Sequence, residues 1–272
     1  MRPIERTKKP NICGQPLFLK NLGLVYSKPI MILLLILLPY SIAFFIGNPY
    51  IIPLSTSVPA SIILFRHLRN SKPQIAILDM LLYVFWLTVI GIFIMYFRFD
   101  RAGWAIINGE EYIAEMSPWL RGDVAKESNP ALFIPEHLNH MAIVAVSSLI
   151  SCGFLALFFG TVLMNYMNYY VVWLMRMSEK PLLLAIIGWH PWSVLRVISF
   201  IILGCALAMP LASKIGKKQK LDYRKLFWMI GIAITLEAVD IILKATIGSS
   251  WRSLIVNNLS PSFKIYPFDF SR

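Results

Sequence analysis

Residues 226–247 stay apolar for long enough to cross a bilayer, yet they carry Glu237 near the middle and Asp240 one turn later. A carboxylate at the centre of a membrane span is costly, so it needs a partner, a water-filled cavity or a function. This run is one of several stretches of about 20 apolar residues that follow one another, the signature of transmembrane helices. Backbone amides away from water must bond within their own helix. The chain is therefore expected to fold all-α, as a polytopic transmembrane helical bundle. Composition agrees. The 272 residues are 57% hydrophobic and 15% charged, against roughly 45–50% apolar and about 25% charged in a soluble domain.

A net charge of +12 would suit nucleic acid, but the basic residues collect in short loops beside apolar runs. That is the positive-inside pattern. Such residues attract anionic lipid headgroups, at about 1 kcal/mol each near the surface. Membrane lipids are therefore expected partners and nucleic acid is not. Cys13, Cys152 and Cys205 have no metal-binding spacing, and two of them lie in apolar runs, so no disulfide framework is expected.

The pattern of runs predicts about six to seven spans, one of them broken or re-entrant. Residues 1–29 form a basic cytoplasmic arm containing Arg2, Arg6, Lys8, Lys9, Lys20 and Lys28. They precede an uncleaved first span. Residues 30–97 hold a membrane hairpin and a third span, with Arg66, Arg69 and Lys72 between them; whether 50–65 crosses or dips and returns is open. Residues 98–139 are the only long polar segment, and acids outnumber bases there. They are expected to form a small extracytoplasmic cap, partly helical over 109–120. Residues 140–247 form a C-terminal bundle. Residues 248–272 form an extracytoplasmic tail with Trp251, Tyr266, Phe268 and Phe270 as interfacial anchors.

Within the C-terminal bundle a crossing is expected over 141–165. The basic cluster Lys214, Lys217, Lys218, Lys220, Arg224 and Lys225 belongs in the cytoplasm and follows a clear span, 192–211. That span must start outside, so something between it and 141–165 must cross. The expected element is 165–189, broken at Ser178–Pro181, with Arg176, Glu179 and Lys180 at a wet break. The N-terminus is then cytoplasmic and the C-terminus extracytoplasmic.

Glu237, Asp240 and Lys244 lie at i, i+3 and i+7 and share one helix face. Asp240 and Lys244 form an i, i+4 pair in the favourable order, and Arg196 lies one turn into the preceding span. These groups either fix helix packing or form a proton or cation site. Glu136, His137 and His140 lie at the mouth of a span and could ligate zinc or another transition metal, although not in the order of zinc proteases. No Walker loop, Rossmann glycine pattern, CxxC or nucleophile elbow is present. No cofactor is expected.

Asn139-His140-Met141-Ala142 opens a span containing Gly153 and Gly160 that ends at Leu163-Met164-Asn165. His190-Pro191-Trp192 follows a short apolar stretch, and the last span carries Ile234-Thr235-Leu236-Glu237. Over 139–247 this order resembles the stage II sporulation protein M (SpoIIM-like) membrane family. There an outer Asn begins a glycine-containing span, a His element follows, and the final span holds a Glu. The resemblance implies a membrane protein that organises other envelope machinery without catalysis of its own, and it marks Asn139, Asn165, His190 and Glu237. The first expectation is a non-enzymatic scaffold or accessory subunit with other membrane subunits, or further copies of itself, as partners. The second is a small permease using the carboxylate face. An intramembrane metalloenzyme is a third.

Overall fold

The structure, a computed structural model, describes residues 33–123, 126–216 and 221–260. The basic arm, Cys13, Lys217, Lys218, Lys220, Tyr266, Phe268 and Phe270 lie outside the described residues. Among the described residues every regular element is helical. The fold is an all-α bundle. Its helices are α1 (Leu33–Ile46), α2 (Ile51–Arg69), α3 (Pro73–Phe97), α4 (Phe99–Ala105), α5 (Gly109–Arg121), a 3-10 turn (Lys126–Ser128), α6 (Pro130–Ser151), α7 (Phe154–Arg176), α8 (Pro181–Ile187), α9 (Pro191–Gly216) and α10 (Tyr223–Asn257). Five of them, α2, α3, α7, α9 and α10, are long and apolar enough to cross a membrane. The chain is a multi-pass membrane protein.

Local chemistry sets the helix ends. Proline opens α3, α8 and α9 at the first turn, where its missing N–H costs nothing. Asn129 caps α6 by accepting a hydrogen bond from the Ala131 N–H at 3.0 Å, and Asp222 caps α10 through the Lys225 N–H at 3.2 Å. Gly122, at φ +90°, ends α5. The helix expected over 109–120 is thus found as α5, and 51–65 lies inside one continuous helix that begins after Tyr50 and tolerates Pro59.

Residues 141–165 do not form a single crossing. Cys152 and Gly153 both take left-handed backbone conformations, φ 52° and 89°, and the Gly153 N–H bonds back to the Ser148 carbonyl. This Schellman-type turn ends α6 and starts α7. Gly153 has a second constraint, since a Cβ there would meet Leu64 Cδ2 at 2.5 Å. α6 and α7 form an antiparallel hairpin. The segment expected as one crossing over 141–165 is thus divided between two helices, of which α7 is long and apolar enough to cross a membrane. α6 is 22 residues, about 33 Å long, and its polar residues are confined mostly to its first half.

The break expected at Ser178–Pro181 is instead a turn at the end of the bundle. It is tied to the end of α10, since Ser178 Oγ donates to the Asn258 carbonyl at 2.6 Å and the Ser260 N–H donates to the Met177 carbonyl at 2.9 Å. Arg176, Glu179 and Lys180 are exposed there and do not join the Glu237 face. The Arg176 guanidinium caps the Phe99 ring at 5.1 Å. The tail is shorter than expected because α10 continues through Gly248 to Asn257. Over 35 residues it spans about 52 Å, well beyond a hydrocarbon core of about 30 Å. Trp251 packs inward, its indole N–H donating to the Ile187 carbonyl at 2.9 Å.

Candidate functional site: a buried charge chain beside a chamber

Four elements bring six ionisable side chains together. α10 presents Glu237, Asp240 and Lys244, with relative exposures of 2%, 0% and 4%. α6 contributes His137, α9 contributes Arg196, and the 3-10 turn contributes Glu127. Arg196 grips Asp240 with two hydrogen bonds, Nε to Oδ2 at 2.9 Å and Nη2 to Oδ1 at 3.2 Å, the bidentate geometry that suits a guanidinium. Lys244 Nζ lies 2.7 Å from Glu127 Oε2. It also lies 3.4 Å from His137 Nε2 and 4.3 Å from the centre of the Phe133 ring. His137 Nδ1 lies 3.2 Å from Asp240 Oδ2 and 3.9 Å from Glu237 Oε1. Asp240 and Lys244 each take a tertiary partner, so their expected i, i+4 pairing is replaced by stronger contacts.

The charges balance apart from one group. Arg196 offsets Asp240 and Lys244 offsets Glu127, while both oxygens of Glu237 are buried without a hydrogen-bond partner among the described residues. A buried unpaired carboxylate is untenable as a bare anion. Glu237 therefore holds a proton or attracts a cation. At the loop end of the chain, burial pushes the Glu127 carboxyl up. The Lys244 ammonium, aided by Arg196, outweighs this and holds Glu127 below its ordinary value of 4.5.

His137, Glu237 and Asp240 could form a metal-ligand group, their ligand atoms lying within 4.8 Å of one another. The hydrogen bonding argues for a different chemistry. With Lys244 as an ammonium, its N–H donates to Nε2, so Nδ1 carries the imidazole proton and faces Asp240. No ring lone pair then points at the carboxylates, and the Asp240 oxygens are held by Arg196. The expected ligand set Glu136, His137 and His140 does not assemble. Glu136 bonds Lys126 at 2.6 Å, and Lys126 also reaches Glu115 at 3.0 Å. His140 lies one turn further along α6.

A cavity of about 360 Å³ adjoins the chain of charges. It fills the angle between α6, α7 and α9, and α5 and the 3-10 turn cover one end. Glu127, His137 and Arg196 line it, with Glu111, Glu115, Glu136 and His140 towards the loop and Phe159, Val162 and Phe200 towards the membrane. The cavity thus reaches the buried charges at His137 and Arg196, and Glu237 lies 3.9 Å behind the imidazole.

The remaining marked residues have separate settings. Asn165 accepts a hydrogen bond from the Tyr40 hydroxyl and donates to the Thr161 carbonyl at 2.8 Å. His190 stacks on Trp192 at 4.7 Å, and Asn139 is exposed. Among the described residues Cys152 and Cys205 form no disulfide. Sequence reasoning missed Glu127 as a site residue; it was one acid among many in a polar segment. No protein-family model, curated protein or solved structure matches the chain.

Proposed function

We propose that this membrane protein is a small permease that links solute binding in the chamber to protonation of Glu237. One observation carries the reading: Glu127, Lys244, His137 and the Asp240–Glu237 pair form a continuous chain of polar contacts. The chain runs from the chamber to a buried carboxyl that has no counter-charge among the described residues. The imidazole is amphoteric, so it can take a proton at Nε2 from the Lys244 ammonium while its Nδ1–H passes to Glu237, and Lys244 then regains a proton from the chamber side. Arg196 keeps Asp240 ionised, which leaves Glu237 as the group that gains and loses the proton.

Infrared difference spectroscopy on the reconstituted protein tests this. A carboxyl C=O band is expected to titrate with bulk pH, to vanish in Glu237→Gln and to lose its exchange with bulk water in His137→Leu. A wild-type spectrum without such a band would overturn the proposal.

A second reading, an accessory subunit of a membrane complex as the SpoIIM-like resemblance implies, draws support from Trp104 on α4, which is 76% exposed. It treats Glu237 as a packing carboxyl with no exchange at all, so the same spectrum separates the two.

For orientation we read the N-terminus as cytoplasmic and the C-terminus as extracytoplasmic, in the cell membrane. The support is a segregation of charge. Arg66, Arg69 and Lys72 lie at the end that also carries the Cys152–Gly153 turn, Lys214, Arg224 and Lys225, whereas α5 and the 3-10 turn place their acids at the other. In a cysteine-free background, an impermeant maleimide applied to intact cells should label Glu179→Cys and spare Asn70→Cys. The reverse pattern would overturn the orientation.

A further inference from the structure

The chamber does not end at its apolar wall. Val144, Leu163, Met164, Val197 and Phe200 line it and also line a second cavity of about 80 Å³ that continues between α3, α6, α7 and α9. The two spaces meet across a shared wall and differ in chemistry. The second is apolar, bordered by Leu87, Leu157 and Cys205, and small residues keep it open: Gly153, Ala156, Gly160 and Gly204. A Cβ at Gly160 would meet nothing within 4 Å.

The chamber's loop end carries an excess of acid. Glu111, Glu115, Glu127 and Glu136 face it. Lys244 offsets Glu127 and the single Lys126 serves both Glu115 and Glu136. Burial pulls the Lys126 ammonium down, but its bonds to those two carboxylates hold it above its ordinary value of 10.5. Arg196 is taken up by Asp240. Among the described residues two carboxylate charges therefore stay uncompensated, among the rings of Tyr112, Tyr166, Trp189 and Trp192. Carboxylates set among aromatic faces favour an organic cation. They disfavour the phosphate or sulfate head of an anionic lipid.

We infer that the chamber and its apolar continuation together bind a cationic amphiphile, the ammonium head among the Glu111 and Glu115 carboxylates and aromatic rings and the alkyl tail in the groove along α7. The volume of the chamber falls within the range of small-molecule sites, about 300–1,000 Å³. The inference names the substrate class of the permease proposed above, but its test is binding and needs no transport.

The probe is radiolabelled decyltrimethylammonium, below its micellar concentration, in equilibrium dialysis against the full chain in phosphatidylcholine nanodiscs, with empty discs subtracted. Saturable binding of one molecule per chain is expected, competed by tetramethylammonium at higher concentration and not by decyl sulfate. The double variant Glu111→Gln/Glu115→Gln should weaken binding at least tenfold. Gly160→Leu, which fills the groove without a backbone clash, should weaken the decyl compound at least tenfold and leave tetramethylammonium unchanged. Wild-type thermal unfolding in both variants would show that they fold. Absence of saturable binding, equal competition by decyl sulfate, or insensitivity to both variants would each overturn the inference. A failure here with a titrating Glu237 band would leave the permease standing and remove only its substrate.

Discussion

Asp240→Ala is expected to cost about 3–5 kcal/mol of stability, the range for removing one partner of a buried ion pair. Asp240 is fully buried and accepts both Arg196 hydrogen bonds. Without it a guanidinium stays in the bundle with no counter-charge, and the His137 Nδ1–H loses the acceptor it faces. The cost arises chiefly from the charge left behind, so the double variant Arg196→Met/Asp240→Leu should recover most of it, because a well-packed apolar pair often replaces a buried ion pair at little cost. Chemical unfolding in detergent micelles, followed by tryptophan fluorescence, measures both. A single-variant loss below about 0.5 kcal/mol, typical of a surface substitution, would show that the pair is not held as described.

The bundle itself was legible because membrane helices depend on length and apolarity, both of which are local properties. The α5 helix could be read for a similar reason: Asn108-Gly109 and Gly122 punctuate it. The turn at Cys152–Gly153 could not. No proline or charge marks it inside the apolar stretch 140–175, and Gly153 reads equally well as a packing residue. Only the return of α7 against α2, with Gly153 pressed on Leu64, makes the left-handed turn compulsory.

The same division holds in the site. The i, i+3, i+7 spacing put Glu237, Asp240 and Lys244 on one face, and the structure buries all three together. Arg196, 44 residues from Asp240, was legible as a neighbouring polar group, but His137 and Glu127 were not legible as partners, since His137 is 107 residues from Lys244 and nothing local links them. The local rules actively misled. Adjacency suggested that Glu136 and His137 share a metal, but neighbours on a helix project about 100° apart. One turns to Lys126 in the 3-10 turn and the other to α10.

Lys244→Met should be the second large loss, again about 3–5 kcal/mol, because it strands Glu127 beside the chamber. The cycle of Lys244→Met, Glu127→Gln and the double variant isolates the pair. The double variant is expected to be more stable than Lys244→Met alone, and additive losses would show that the two side chains do not interact. Acid should act on the same bond. The native Glu127 carboxyl lies below its ordinary value of 4.5, so its contribution is complete above that value. It is lost as the pH falls through the lower native one. Unfolding measured against pH should therefore show an acid limb in the wild type that is reduced in the double variant. The consequence for the relay follows from the tautomer. Once Lys244 no longer donates to Nε2, the imidazole is free to carry its proton on either nitrogen, and the proton on the Nδ1 side that faces Asp240 and Glu237 is no longer fixed. Lys244→Met should then alter the exchange of the Glu237 carboxyl even where the fold survives, and at matched stability a structural lysine would leave that exchange unchanged.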